Sequence, residues 1–124
     1  MSEHTEIIDR YFQAWNEPDA GKRQALLEAT FAADGRYQDP AAGAESPAGI
    51  AAMMGAVQER FPGHVVARDG DIDAHNGQGR FDWTLGQAGA EPILKGIDVV
   101  TFDADGKLQS VIGFFDHVAI PQAA

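Results

Sequence analysis

The chain has 124 residues, 44% apolar and 23% charged, with 19 acidic against 9 basic side chains and no cysteine. That length suits one domain, residues 1–124, with a single core, and the composition is ordinary for a soluble globular protein. The net charge of −10 argues against nucleic-acid and anionic-membrane surfaces, which need clustered Lys and Arg. The absence of cysteine excludes disulfides and thiolate metal sites. No run approaches the roughly 20 apolar residues of a membrane span. Met1-Ser2-Glu3-His4-Thr5-Glu6 lacks the basic start and apolar run of a signal peptide, so a cytoplasmic protein is expected. A small, mostly apolar molecule remains compatible as partner.

Ile7, Ile8, Tyr11, Phe12 and Trp15 recur at helical spacing and predict a first helix over about 3–16. Asn16-Glu17-Pro18 stops it. Asp19 is the expected N-cap of a second helix, about 20–31, with Leu26, Leu27 and Phe31 inward. Asp34-Gly35 turns into a short extended piece, 36–39, ended by Pro40; 41–45 reads as a loop. Ser46-Pro47 then caps a third helix, about 47–61, which Pro62-Gly63 breaks.

From there the period becomes two. Strands are expected over about 64–75, 78–88, 92–103 and 107–118, the first pair joined by the hairpin signal Asn76-Gly77. Helices followed by a meander predict an α+β class with an antiparallel sheet. Such a sheet must curve to bury one face, and three helices against it close a cone with an apolar interior, where small ligands sit. Trp15, Met54, Phe61, Phe81, Trp83, Phe102 and Phe114 are the candidate lining. The third strand is apolar on both sides (Ile97 and Val99 against Leu94 and Val100), so the outer face also needs a cover. A second copy of the chain, packed sheet to sheet, is the expected one.

Asp98 stands out. It sits in Ile93-Leu94-Lys95-Gly96-Ile97-Asp98-Val99-Val100-Thr101-Phe102, where aspartate is depleted. A carboxylate among such neighbours must find a partner or become neutral, which marks it as a candidate acid.

Helix, helix, Tyr37-Gln38-Asp39-Pro40, a Ser-Pro-capped helix and four strands with Gly96-Ile97-Asp98 and Asp105-Gly106-Lys107-Leu108 resemble the nuclear transport factor 2-like superfamily over about residues 5–118. Within it the chain resembles the SnoaL-like polyketide cyclases and the ketosteroid isomerases. The resemblance implies a cystatin-like, NTF2-like α+β barrel. Arg10-Tyr11-Phe12-Gln13-Ala14-Trp15-Asn16 matches the isomerase tyrosine pattern, Asp39-Pro40 the general-base aspartate, and Gly96-Ile97-Asp98 the neutral aspartic acid, with glycine in place of proline. It therefore implies that Tyr11, Asp39 and Asp98 are catalytic. Asp39 would be the base, and Tyr11 with protonated Asp98 would donate to one oxyanion. For an aldol cyclisation Asp98 is the acid–base choice. The implied activity is acid–base isomerisation or cyclisation of a hydrophobic cyclic carbonyl compound, without cofactor.

Each candidate also has a structural reading. Tyr11 shares a helical stripe with Ile8 and Trp15 and fits packing. Asp39 fits a turn cap, and Asp98 a purely architectural hydrogen bond. A non-catalytic binding protein with the same cone is one alternative. Epoxide hydrolysis is another, and it needs Arg80, Asp82 and Asp98 in one cavity. Of Asp116 and His117, one is expected to point inward, with His117 a weaker candidate base. His4, His64, His75 and His117 have no metal-ligand spacing, so no metal is expected.

Overall fold

The computed structural model describes residues 3–119. Three helices, α1 (Glu3–Trp15), α2 (Ala20–Thr30) and α3 (Ser46–Arg60), pack on a sheet of six strands. The strands are β1 (Phe31–Gln38), β2 (Gly43–Glu45), β3 (Val65–His75), β4 (Gln78–Gly86), β5 (Leu94–Phe102) and β6 (Leu108–Val118), in the spatial order β2-β1-β6-β5-β4-β3. All neighbours are antiparallel except β1 and β6, which run parallel. The sheet is curved and unclosed. Register shifts in β3 between Asp69 and Asp73, and between β5 and β6 at Lys95/Gly96 and Thr101/Phe102, bend it as bulges do.

Local signals act where they occur. Asp19 accepts the Lys22 N–H at 2.8 Å and starts α2. Ser46 Oγ accepts the Gly49 N–H at the head of α3. Asn76 (φ 51°) and Gly77 (φ 77°) give the two left-handed positions of a tight hairpin between β3 and β4. Asn16 bonds Val66 through both its amide nitrogen and its oxygen, tying the end of α1 to β3.

Two of the predicted elements change. The extended segment predicted at 36–39 is an eight-residue strand from Phe31, so α2 ends at Thr30. The predicted loop at 41–45 contains the short edge strand β2.

Alternation along β5 puts Leu94, Gly96, Asp98 and Val100 inward and Lys95 and Val99 outward. The core between sheet and helices contains Ile8, Leu27, Ile50, Met54, Val100 and Leu108. Met54 and Phe81, predicted to line the cavity, are instead packed in this core, and neither lines the cavity. Phe102 stacks on His4 at 4.2 Å, and Phe114 lies on the outer face, 54% exposed. Arg23 is buried with no acidic partner among the described residues: it donates to the carbonyls of Ala51 and Glu17 and to Gln58. Gln58 in turn donates to Trp15 and Glu17 carbonyls. That network fixes the end of α1, and with it Trp15, against α2 and α3.

Candidate active site

Burial makes Asp98 a partnered group. It is 3% exposed, on the inner face of β5 opposite Phe81 of β4 and Gly113 of β6. Tyr11, fully buried on α1, donates its hydroxyl to Asp98 Oδ2 at 2.9 Å. Desolvation raises the Asp98 pKa from 3.8 to about 7; Tyr11 and the nearby Trp83 indole pull it down, and the charge of Asp39 pushes it up. The Tyr11 phenol is raised well above its ordinary value, by burial first and then by the Asp98 charge.

Asp39 follows β1. Its Oδ1 accepts the N–H groups of Ala41 and Ala42, each at 2.7 Å, and its Oδ2 accepts the Tyr37 hydroxyl at 2.5 Å. The turn-capping reading of Asp39 therefore holds structurally, and the same residue lines the cavity. Of about four acceptor positions on a carboxylate, one remains for a ligand. Tyr37 is raised by burial first, then by Asp98 and Asp39. Gly113 lies between the two aspartates: a Cβ there would stand 2.9 Å from Asp98 Oδ1 and 3.2 Å from Asp39 Cβ.

These groups share one cavity of about 110 Å³ with Trp15, Phe61, Leu85, Leu94 and Phe115 as apolar wall. The exposed Ala41 and Arg60 mark its rim. Arg60 stacks on Phe61 at 5.0 Å. Tyr11, Asp39, Asp98, Trp15, Phe61 and Trp83 are thus brought together, whereas Met54, Phe81, Phe102 and Phe114 are not. Asp116 and His117 are both exposed, and Phe115 takes the inward position. The register shifts at Thr101/Phe102 and Lys95/Gly96 decide this. Arg80 pairs with Asp73 on the outer face, and Asp82 is exposed beside it. The relay an epoxide hydrolase needs does not assemble.

Tyr37, Phe115 and Arg60 were not singled out from the sequence. Tyr37 had a signal, since positions 37 and 39 share a side of any extended segment. Arg60 had none beyond its place at the end of a helix.

The family model for the SnoaL-like domain matches residues 8–111. The chain belongs to the SnoaL-like family. A solved SnoaL-like protein from Agrobacterium tumefaciens, provisionally described as an isomerase, is 36% identical, with a TM-score of 0.87 over 94% of this chain and 99% of that one. A SnoaL-like protein from Jannaschia sp., provisionally described as a polyketide cyclase, is 17% identical with a TM-score of 0.71, covering 97% and 94% of the two chains. A protein of ketosteroid isomerase-like fold from Catenulispora acidiphila, solved with trimethylamine, is 19% identical with a TM-score of 0.71, covering 87% and 83%. The last two show the fold alone, which other neighbours call cystatin-like or NTF2-like. No curated protein matches the chain significantly. Among the described residues of this SnoaL-like chain, no helix is long and apolar enough to cross a membrane.

Proposed function

We propose that this SnoaL-like protein moves protons on a hydrophobic cyclic carbonyl compound, isomerising it or closing an aldol ring, with its own side chains as acid and base. One observation carries the reading: Asp98 is buried in an apolar cavity and partnered by Tyr11, and that burial pushes its carboxyl up to about 7, toward the range where acid–base catalysis is most effective. Asp39 supplies a carboxylate with one open acceptor position, and the apolar wall excludes water. A substrate α-proton would go to Asp39, and Asp98 would protonate the carbonyl oxygen as the enol forms.

The test is deuterium exchange at the α-carbon of cyclic ketones, 2-tetralone among them, followed by NMR in heavy water. The wild type should exchange faster than buffer, and Asp98→Ala should lose about 10²–10⁴-fold of that rate. A ketone bound without exchange would favour the second reading, a binding protein. The occupied state of Asp39, with three donors already on it, is the observation on that side.

The outer face supports a homodimer. Val99 opposite Ile112 and Ile97 opposite Phe114 make an apolar patch across β5 and β6, with Val99, Ile112 and Phe114 38%, 45% and 54% exposed. Contiguous patches of this kind mark interfaces. Sedimentation should give twice the 13.3 kDa chain mass for the wild type and the single mass for Phe114→Glu. A monomeric wild type would overturn the assembly.

A further inference from the structure

Two buried polar atoms at the catalytic cluster have no hydrogen-bond partner within the described chain: Trp83 Nε1 and Asp98 Oδ1. Native folds rarely leave such atoms unpaired without a reason. A third, Arg68 Nε, belongs to a guanidinium already held by Gly70 and Asp9. The first two belong to residues that line the same cavity.

Their closeness follows from Gly96. Trp83 faces Gly96 across β4 and β5, and a Cβ on Gly96 would lie 2.5 Å from the indole Cζ2 and 2.8 Å from Cε2. Cε2 is bonded to Nε1, so the indole N–H lies over Gly96, two residues from Asp98 on the same face of β5. It is near enough to favour the ionised carboxyl, yet the two atoms do not meet hydrogen-bond geometry with each other.

We propose that Trp83 Nε1 and Asp98 Oδ1 form a two-point subsite for one oxygen of an enolisable ketone, or of its enol or phenol counterpart, with Tyr11 holding Asp98 from behind. The Tyr11 proton is engaged on Oδ2, so the proton of neutral Asp98 sits on Oδ1. Indole N–H only donates, so the bound atom must accept. With Asp98 neutral, a carbonyl oxygen receives two donors. With Asp98 ionised, an enol or phenol hydroxyl accepts from Trp83 and donates to Oδ1. This deepens the proposed proton transfer and rests on it for the chemical step. Asp39 removes the α-proton, the C–H electrons form the C=C bond, and the carbonyl π electrons take the Oδ1 proton. The products are enol, protonated Asp39 and ionised Asp98 held by Tyr11. The geometry departs from the expectation that Tyr11 and Asp98 both donate to the oxyanion; Tyr11 is a positioning residue, and Trp83 is the second donor.

The probe pair is 2-naphthol and 2-methylnaphthalene, alike in shape but differing in the oxygen. The chain has two tryptophans, and Trp83→Phe assigns their indole N–H resonances. Wild-type protein should bind the naphthol at least about tenfold more tightly. The Trp83 indole proton should move downfield with the naphthol and not with the hydrocarbon, and Trp83→Phe should reduce the ratio of the two affinities, leaving only the part that Asp98 Oδ1 supplies. Equal affinity for the two probes, an unmoved Trp83 resonance at saturation, or binding of neither would each overturn the subsite. The resonance test uses unmutated protein, so it stands if the variant folds poorly. Deuterium exchange fails independently: a naphthol held by Trp83 in a protein that exchanges no ketone would sink the enzymatic reading and leave the subsite intact.

Discussion

Asp98→Asn is expected to stabilise the protein at pH 8 and to leave its stability at pH 4 nearly unchanged. The carboxyl is neutral in the fold until about pH 7, whereas an unfolded one ionises near 3.8. Between those values the folded chain holds more protons than the unfolded chain, so stability falls as pH rises through that window. A shift of this size corresponds to a penalty on the order of 4 kcal/mol once Asp98 is ionised. Asparagine keeps the shape and an acceptor for the Tyr11 hydroxyl but never ionises, so it escapes the penalty. Thermal melts of both proteins at several pH values would show the curves separating between about pH 4 and pH 7, by roughly 15 °C at the top. Comparing the pair cancels the other acidic groups. Parallel curves would mean that Asp98 ionises normally and that its acid–base role fails with it. The same variant should lose α-proton exchange, making a protein that is more stable and less active. That combination is expected of a group placed for chemistry at a cost to the fold.

Asp98 was legible in the sequence because its local setting was in conflict with its chemistry: an acid in a β-branched run has few places to be. The Asn76-Gly77 hairpin and the Asp19 cap were legible because each acts within a few residues, whereas the cap position of α3 falls on Glu45, one residue before the expected Ser46. β1 was read too short because Ala32, Ala33, Asp34 and Gly35 are poor strand formers. Its order comes from parallel pairing with β6, more than seventy residues away. Phe114 is expected inside and Phe115 is not because a one-residue register shift reverses which side chain faces in, and the shift at Thr101/Phe102, which leaves Gln109 extra between Leu108 and Ser110, leaves no mark in composition. Trp83 was placed in the lining, but its unpaired N–H depends on a packing partner, Gly96, that pattern alone does not connect to it.

Gly96→Ala is therefore the substitution expected to damage the fold most for the least added volume. A Cβ at this position would collide with the Phe114 carbonyl oxygen and lie 2.5 Å from Trp83 Cζ2. The indole could turn aside. The carbonyl belongs to the β6 backbone, and moving it breaks the pairing of Gly96 with Phe115 beside the register shift. Overpacking a core usually costs about 1–3 kcal/mol, and a clash with backbone falls at or above the top of that range. Against a total stability on the order of 5–15 kcal/mol, the urea midpoint should drop markedly. Gly113→Ala supplies the contrast. Its Cβ would meet chiefly the Asp98 carboxyl end at 2.9 Å and Asp39 Cβ at 3.2 Å, so it should turn the Asp98 carboxyl and, on the proposed function, cost exchange activity at a smaller loss of stability. A Gly96→Ala protein with the wild-type midpoint would mean that β5 and β6 do not approach as described. It would also remove the reason for glycine to stand where the isomerase pattern has proline: the residue leaves room for an indole beside the acid.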